Sequence, residues 1–141
     1  MSEIIYQYTG RKMLTENDTS VHIRWLGEED YRIFARHLEL CGQRPISEDD
    51  WKEVYADGAI YCGLFEHGKM IARACREIIS CDRWEIADVR VVREYRNRGH
   101  AFEICSFVLN YILSEGKIPS IRTEEDNYPM QSVIKKLGFT L

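Results

Sequence analysis

The sequence predicts a single α/β (α+β) domain with a mixed, mostly antiparallel central sheet and flanking helices. The chain has 141 residues, 45% of them hydrophobic, which is enough for one core and too short for two domains. Its strand and helix patterns follow in the order β, α, α, β, β, β, α, β, α. A helical pattern separates the last two strands, and a βαβ unit of this kind makes its two strands parallel.

A strand and two helices form the first part of this order. Residues 21–26 alternate apolar and polar side chains, the pattern of a half-buried strand. Apolar residues at helical spacing follow over 31–41, after an acidic trio that suits a helix start. Ser47 and Asp50 resemble a capping box, which predicts the start of a second helix.

Three strands in an antiparallel meander come next. Residues typical of strands fill 60–65, 69–79 and 84–92. Gly68 stands in the first connection, where glycine can take the positive φ of a tight hairpin. A second polar turn follows at 80–82.

The βαβ unit and a final helix complete the order. An apolar stripe predicts a long helix over 101–112, and residues 118–124 form the next strand. Asp126 or Asn127 can cap the last helix, and Gly138 ends it.

The chain is predicted to consist of two segments. Residues 1–19 are predicted to be an N-terminal tail or an appended strand, because a β-prone stretch at 4–8 precedes a polar run. Residues 20–141 form the domain itself.

Composition excludes several classes of function. With 19 basic and 23 acidic residues the net charge is -4, which argues against nucleic-acid binding. No apolar run approaches the ~20 residues of a membrane helix, and the N-terminus lacks a signal peptide, so we expect a cytoplasmic protein that does not bind membranes. The five cysteines and four histidines lack metal-ligand spacing, so no metal site is expected.

The strongest local signal is the turn that joins the strand at 84–92 to the long helix. A helix N-terminus presents free N–H groups and partial positive charge, which bind phosphates. Gly99 and Ala101 permit close approach to the backbone, and Arg96 and Arg98 add positive charge. The turn therefore suits a pyrophosphate, although it could also be an ordinary turn with solvated arginines.

Two motifs resemble those of a known family. The spacing Arg96-x-x-Gly99-x-Ala101 after a strand resembles the acyl-coenzyme A binding motif of the GNAT acyltransferase superfamily. Asn127 opens a helix that closes with Leu-Gly-Phe, which resembles the second motif of that family. The resemblance covers about residues 20–139. It implies a GNAT-like sheet whose parallel strands splay apart, with acetyl-CoA as cosubstrate in the cleft between them and no metal.

The same resemblance implies a set of cofactor-binding residues. Main-chain groups near Val89 and Val91 would bond the pantetheine arm, as an added strand would be held. Asn127 would lie beside that arm, and it is equally suited to be a helix cap. The pyrophosphate would rest on Arg96, Asn97, Arg98, Gly99, His100 and Ala101.

The implied reaction is transfer of an acyl group, most simply acetyl, to a primary amine of a small molecule or peptide. Glu85 matches the position of a catalytic glutamate that acts through water in some members. It could instead be a surface carboxylate paired with Arg76 or Arg83. Strand alternation would place Glu85 on the face of Val91 and put Asp88, the second choice as base, on the opposite face.

The sequence departs from the family at the expected proton donor. Many members carry a tyrosine that protonates the leaving sulfur, where this chain has Ile134, which cannot donate a proton. Tyr128, Ser132 or a water molecule would have to serve. A non-catalytic module that binds CoA or a protein partner is therefore the alternative function.

A second departure lies at the end of the sheet. The chain stops three residues after Gly138, whereas family members continue into closing strands. An open strand edge is unfavourable in water, so something must cover it. The β-prone residues 4–8 could supply a strand, or a second subunit could pack there as a homodimer.

Overall fold

The computed structural model describes residues 2–8 and 22–141. The strands are β1 Glu3–Gln7, β2 His22–Trp25, β3 Ile60–Glu66, β4 Lys69–Ile78, β5 Arg83–Val91 and β6 Ile118–Glu124. The helices are α1 Tyr31–Leu40, α2 Glu48–Ala56, α3 His100–Ser114 and α4 Tyr128–Leu137. From β2 onward this is the predicted order. The polar run of the predicted tail, and Val21 of the first predicted strand, lie outside the described residues.

Among the described residues, one six-stranded sheet forms the centre, in the order β1-β6-β5-β4-β3-β2. The pair β5 and β6 is parallel, and every other neighbouring pair is antiparallel. The predicted fold class, a mostly antiparallel mixed sheet with one parallel pair, is confirmed.

Local signals in the sequence produce the expected turns and caps. The β3–β4 hairpin turns at His67 and Gly68, which have φ of 53° and 78°. Such positive values match the strand twist of a two-residue hairpin, and glycine adopts them without strain. Ser47 Oγ accepts from the Asp50 N–H at 3.1 Å and so caps α2.

Different helices pack on the two faces of the sheet. Helices α3 and α4 pack on one face, the α3 face, where Ile104, Val108 and Ile134 contribute to the larger core cluster. On the other, the α1 face, helices α1 and α2 enclose a smaller cluster around Trp51 and Phe34. The α3 face is thus the main core of the domain.

Strand β1 covers the outer edge of β6. It runs antiparallel to β6, with Tyr6 opposite Ile121, and Tyr6 is only 4% exposed. On its other side, Gln7 exchanges two backbone hydrogen bonds of 2.9 and 3.0 Å with Thr140. The β-prone segment near the N-terminus therefore supplies a covering strand from within the chain.

Candidate functional site

The parallel strands β5 and β6 separate near the middle of the sheet. Their pairing extends from Arg83 opposite Ile118 to Ile86 opposite Ile121. Beyond that pair β5 continues to Val91 and β6 to Glu124 without pairing to each other. The strands therefore enclose a cleft at their carboxyl ends, the position where open α/β sheets bind ligands.

Backbone groups of β5 point into this cleft. Arg90 pairs with Arg73, and the Val92 N–H donates to the Ile71 carbonyl at 2.8 Å. In an antiparallel pair alternate residues face the partner strand, so the groups of Val91 face the cleft instead. The Val91 carbonyl accepts from Arg96 Nε at 3.1 Å, which leaves the Val91 N–H directed at the cleft.

A β-bulge interrupts β5 beside the cleft. Cys75 pairs with Ala87 and Arg73 with Arg90, so Asp88 and Val89 together oppose the single residue between those β4 partners. Asp88 has φ of 49°, in the left-handed region that non-glycine residues rarely adopt. The extra residue reverses the side-chain alternation that follows it.

The bulge makes two predictions of side-chain direction wrong. Val89 and Val91 pack against the core cluster on the α3 face, whereas Glu85 lies opposite Glu77 on the α1 face. Asp88 also lies on the α1 face, because it accepts from the hydroxyl of Tyr61, which packs with the cluster under α1. Glu85 therefore shares its face with Asp88 and not with Val91.

Glu85 is buried and held by the neighbouring strand. Its side chain lies 3.1 and 3.2 Å from Arg122 Nε and accepts from Ser120 Oγ at 3.3 Å. Only 3% of the residue is exposed. The alternative that it is a surface carboxylate paired with Arg76 or Arg83 is wrong: its partner is Arg122, and Arg76 donates to the Gly58 carbonyl.

Glu77 adds a third carboxylate to this region of the α1 face. It stands directly opposite Glu85 in the β4–β5 register. Burial and the negative charges of Glu85 and Asp88 raise the pKa of Glu77. The three carboxylates form an acidic region in which Arg73 and Arg122 are the paired cations.

Arg73 is buried beside the bulge, with 2% exposure. It donates from Nε and Nη2 to both oxygens of Asp88, at 3.2 and 2.9 Å. Its Nη1 donates to Gln43 Oε1 at 2.6 Å and lies 3.3 Å from His37 Nδ1. The guanidinium thus connects β5 to α1 and to the segment between α1 and α2.

Arg73 was not predicted from the sequence, and neither was its ion pair with Asp88. The one available signal is an arginine within the otherwise apolar run of residues 70–75. A charged residue in a buried strand requires partners, but alternation alone does not identify them. Tyr61 was missed as well; it donates to Asp88 at 2.6 Å, and burial raises its pKa.

The predicted phosphate turn lies at the open end of the cleft. Asn97 and Gly99 have φ of 64° and 84°, and α3 starts at His100 with no side-chain cap. A Cβ placed on Gly99 would meet no atom within 4 Å. The space beside Gly99, next to the uncapped start of α3, is therefore open, as a bound anion requires.

The side chains of this turn have different partners. Arg98 stacks over the Tyr95 ring at 5.4 Å, while Arg96 is bound to the carbonyl of Val91. His100 is 7% exposed, and its Nδ1 lies 3.0 Å from Glu103 Oε1. His100 and Ala101 can therefore contribute their backbone N–H groups, and Arg98 its charge.

Helix α4 borders the cleft from the β6 side. Asn127 follows β6 and caps α4, with its Oδ1 accepting from the Met130 N–H at 3.2 Å. Ile134 is completely buried in the core, whereas Tyr128 is 69% exposed and Ser132 is also exposed. The position of the expected proton donor on α4 is therefore filled by a buried side chain that cannot donate, and the two hydroxyl groups of α4 lie at the surface.

Two surface grooves flank α1, with volumes of about 470 and 450 Å³. Arg32 and Arg36 line both, and Lys69 lines the first. Neither contains a residue of β5 or β6, so both are separate from the cleft.

Two kinds of feature were not found in residues 2–8 and 22–141. No group of His, Cys, Asp or Glu side chains there could hold a metal ion. None of the helices in this part of the chain combines the length and apolar character needed to cross a membrane.

Solved structures share this fold. A GNAT-family protein from Novosphingobium aromaticivorans matches 98% of the chain with a TM-score of 0.77 and 20% identity. An acetyltransferase of the GNAT family from Colwellia psychrerythraea matches 98% of the chain with a TM-score of 0.75 and 20% identity. The chain spans 58% and 52% of the lengths of these two proteins.

A third similar structure is that of an enzyme whose name gives its activity. The ribosomal-protein alanine N-acetyltransferase from Escherichia coli matches 85% of the chain, and 77% of its own length is covered. The TM-score is 0.71 and the identity 17%. No curated protein matches the chain.

A family model identifies the chain more directly. The model described as "Acetyltransferase (GNAT) family" matches residues 22–139, which include β5, the turn after it, α3 and α4. The chain belongs to the GNAT acetyltransferase family.

Proposed function

We propose that the chain is an acyl-CoA-dependent N-acyltransferase that transfers acetyl from acetyl-CoA to the primary amine of a small molecule or peptide. The observation that carries this proposal is the cleft between β5 and β6, with the uncapped start of α3 at its open end. Acetyl-CoA supplies an activated thioester, and the chain must hold it and manage the protons of the reaction.

Several features of the cleft support binding of the cosubstrate. The Val91 N–H can bond an amide of the pantetheine arm, with Val89 beside it and Asn127 on the opposite side. The turn would hold the pyrophosphate through Arg96, Asn97, Arg98, Gly99, His100 and Ala101. The open space at Gly99 supports this placement, because a phosphate oxygen can approach the backbone there.

Glu85 is the proposed general base. Arg122 and Ser120 fix its carboxylate where β5 and β6 begin to separate. From there it can accept the proton of the attacking amine through a water molecule. Because Ile134 has no proton to give, we propose that a water molecule protonates the leaving thiolate.

An amine acceptor agrees with the relatives. The E. coli enzyme acetylates an alanine of a ribosomal protein, and so uses an amine acceptor, as its name states. The alternative, a non-catalytic CoA-binding or protein-interaction module, is favoured by buried Ile134 and exposed Tyr128, which leave α4 without a positioned proton donor.

Two measurements on the purified protein separate these functions. Calorimetry with CoA tests the cleft, and thiol release from acetyl-CoA with a panel of small amines and peptides tests catalysis. Binding with amine-dependent thiol release supports the enzyme. Binding without release from any amine supports a CoA-binding module. Absence of binding contradicts both the enzyme and a CoA-binding module, and leaves the protein-interaction module.

A further inference from the structure

We propose that Arg73 is a positioning residue, which sets the shape of the cofactor-binding strand by holding Asp88 in its left-handed conformation. This inference rests on the proposed function and concerns a residue outside the cleft. Arg73 lies on β4, whereas the cleft lies between β5 and β6. Its effect on CoA binding would therefore act through the bulge.

The first step is the conformation of Asp88. A residue other than glycine is strained at φ of 49°. It keeps that conformation only when its surroundings enforce it. Asp88 receives three hydrogen bonds, two from Arg73 and one from Tyr61. The two bonds from Arg73 are bidentate, which fixes the direction of the carboxylate as well as its position.

The second step is the position of Arg73 itself. A buried guanidinium has to be fully partnered, and all three of its nitrogens are. Nε and Nη2 bind Asp88, while Nη1 binds Gln43 and lies against His37. Because an arginine only donates, His37 Nδ1 must accept, so this ring nitrogen carries no proton. Gln43 and His37 thus fix the position of Arg73, and Arg73 in turn fixes the position of Asp88.

The third step connects the bulge to the cleft. The bulge adds one residue to β5 between Ala87 and Arg90. That added residue decides which backbone groups of 89–91 face β4 and which face the cleft. If Asp88 returned to an extended conformation, the Val91 N–H would turn away from the cleft. Arg73 would then control CoA binding without contacting CoA.

Two double variants test this relationship, and they differ by one methyl group. Arg73→Met fills the space of the arginine without a charge. In that background Asp88→Gly accepts a positive φ freely, whereas Asp88→Ala does not. We expect the Gly variant to bind CoA within threefold of the parent. The Ala variant should bind at least tenfold more weakly, as measured by calorimetry at a temperature where circular dichroism shows both folded.

Every outcome of the CoA titration decides the proposal. Equal, near-parental affinity in both variants would show that the bulge needs no ion pair. Equally weak affinity would show that Arg73 and Asp88 act by another route. Either result overturns the proposal.

A further variant and a second readout separate this proposal from the proposed function. Arg73→Lys keeps the charge but cannot form the bidentate contact, so its CoA affinity should lie between those of the two double variants. Amide chemical shifts of Arg90 and Val91, which lie beyond the substituted residue and its direct neighbours, report the bulge without CoA. If the parent does not bind CoA, the proposed function fails, and parental shifts in the Gly variant alone still support the role of Arg73. Identical shifts in the Gly and Ala variants overturn it.

Discussion

Arg122 on β6 contacts Glu85 on β5 across the last paired residues of the two parallel strands. Its Nε lies 3.2 and 3.1 Å from the two carboxylate oxygens. Backbone pairing of these strands ends at Ile86 and Ile121. The ion pair therefore bridges the strands at the inner end of the cleft, and Glu85 cannot reorient without releasing Arg122.

Replacing Glu85 should affect turnover much more than cofactor binding. We expect Glu85→Gln to lower kcat by ~100-fold or more, because the amide cannot accept the amine proton. The loss should shrink at high pH, where the acceptor amine is deprotonated without help. Steady-state kinetics and CoA calorimetry measure the two effects. Asp49→Asn on α2 is the control, and parental activity of Glu85→Gln at neutral pH would assign the base to another residue.

A bulky residue at position 99 should weaken CoA binding. Gly99→Leu would place a side chain in the open space above the α3 N-terminus, and we expect a loss of at least tenfold, or about 1.4 kcal/mol. Gly116→Leu is the matched control, because Gly116 also has a positive φ and free space but lies at the far end of α3. Similar CoA affinities of the two variants would contradict the assignment of the phosphate turn.

Acid should destabilise the protein through His37. Burial, together with the positive charge of Arg73, lowers the pKa of His37 to about 4. The unfolded imidazole titrates near 6.5, so the unfolded state binds more protons between these values, and stability falls as the pH drops through this range. The expected contribution is about 3 kcal/mol of unfolding free energy between pH 7 and pH 4.

Urea unfolding at several pH values checks the role of His37. In His37→Gln the amide can still accept from Arg73 but does not titrate, so the variant should lose this part of the pH dependence. Exposed His22→Gln should keep it. A parental pH profile in His37→Gln would show that another group is responsible.

Removing the core contact of β1 should destabilise the whole domain. Tyr6 is buried against the α3 cluster, while Ile5 on the same strand is 42% exposed. Tyr6→Ala should lower the unfolding free energy by about 3 kcal/mol, and Ile5→Ala by less than ~1 kcal/mol. Urea titration compares the two variants. Equal losses would indicate that β1 does not depend on its inward side chain.

The sequence predicted those features that depend only on residues close together in the chain. Ser47 and Asn127 cap α2 and α4 within three residues of themselves, and Gly68 forms the hairpin turn. Such signals act within one turn of backbone, so the sequence contains them directly. The sequence also predicted that β5 and β6 are parallel, because a helix connects them in a βαβ unit.

The geometry around Glu85 depends on contacts that local patterns do not contain. Glu85 and Arg122 are 37 residues apart, and Arg73 and Asp88 are 15 apart. The prediction assumed that successive side chains of β5 point to opposite faces of the sheet. The extra residue at Asp88 reverses the predicted side-chain direction of every residue after it. The sequence located the carboxylates on the right strand, and only the bulge determines which face they share.

Pairing between β1 and β6 has a consequence for the order of folding. Tyr6 meets Ile121, a residue separated from it by nearly the whole chain. Contacts between residues so far apart in the chain close a large loop and carry a high entropic cost of formation. During ribosomal synthesis β1 emerges well before β6 exists, so it must wait for its partner. We therefore expect β1 to join last, and local opening of the native state to begin at this edge.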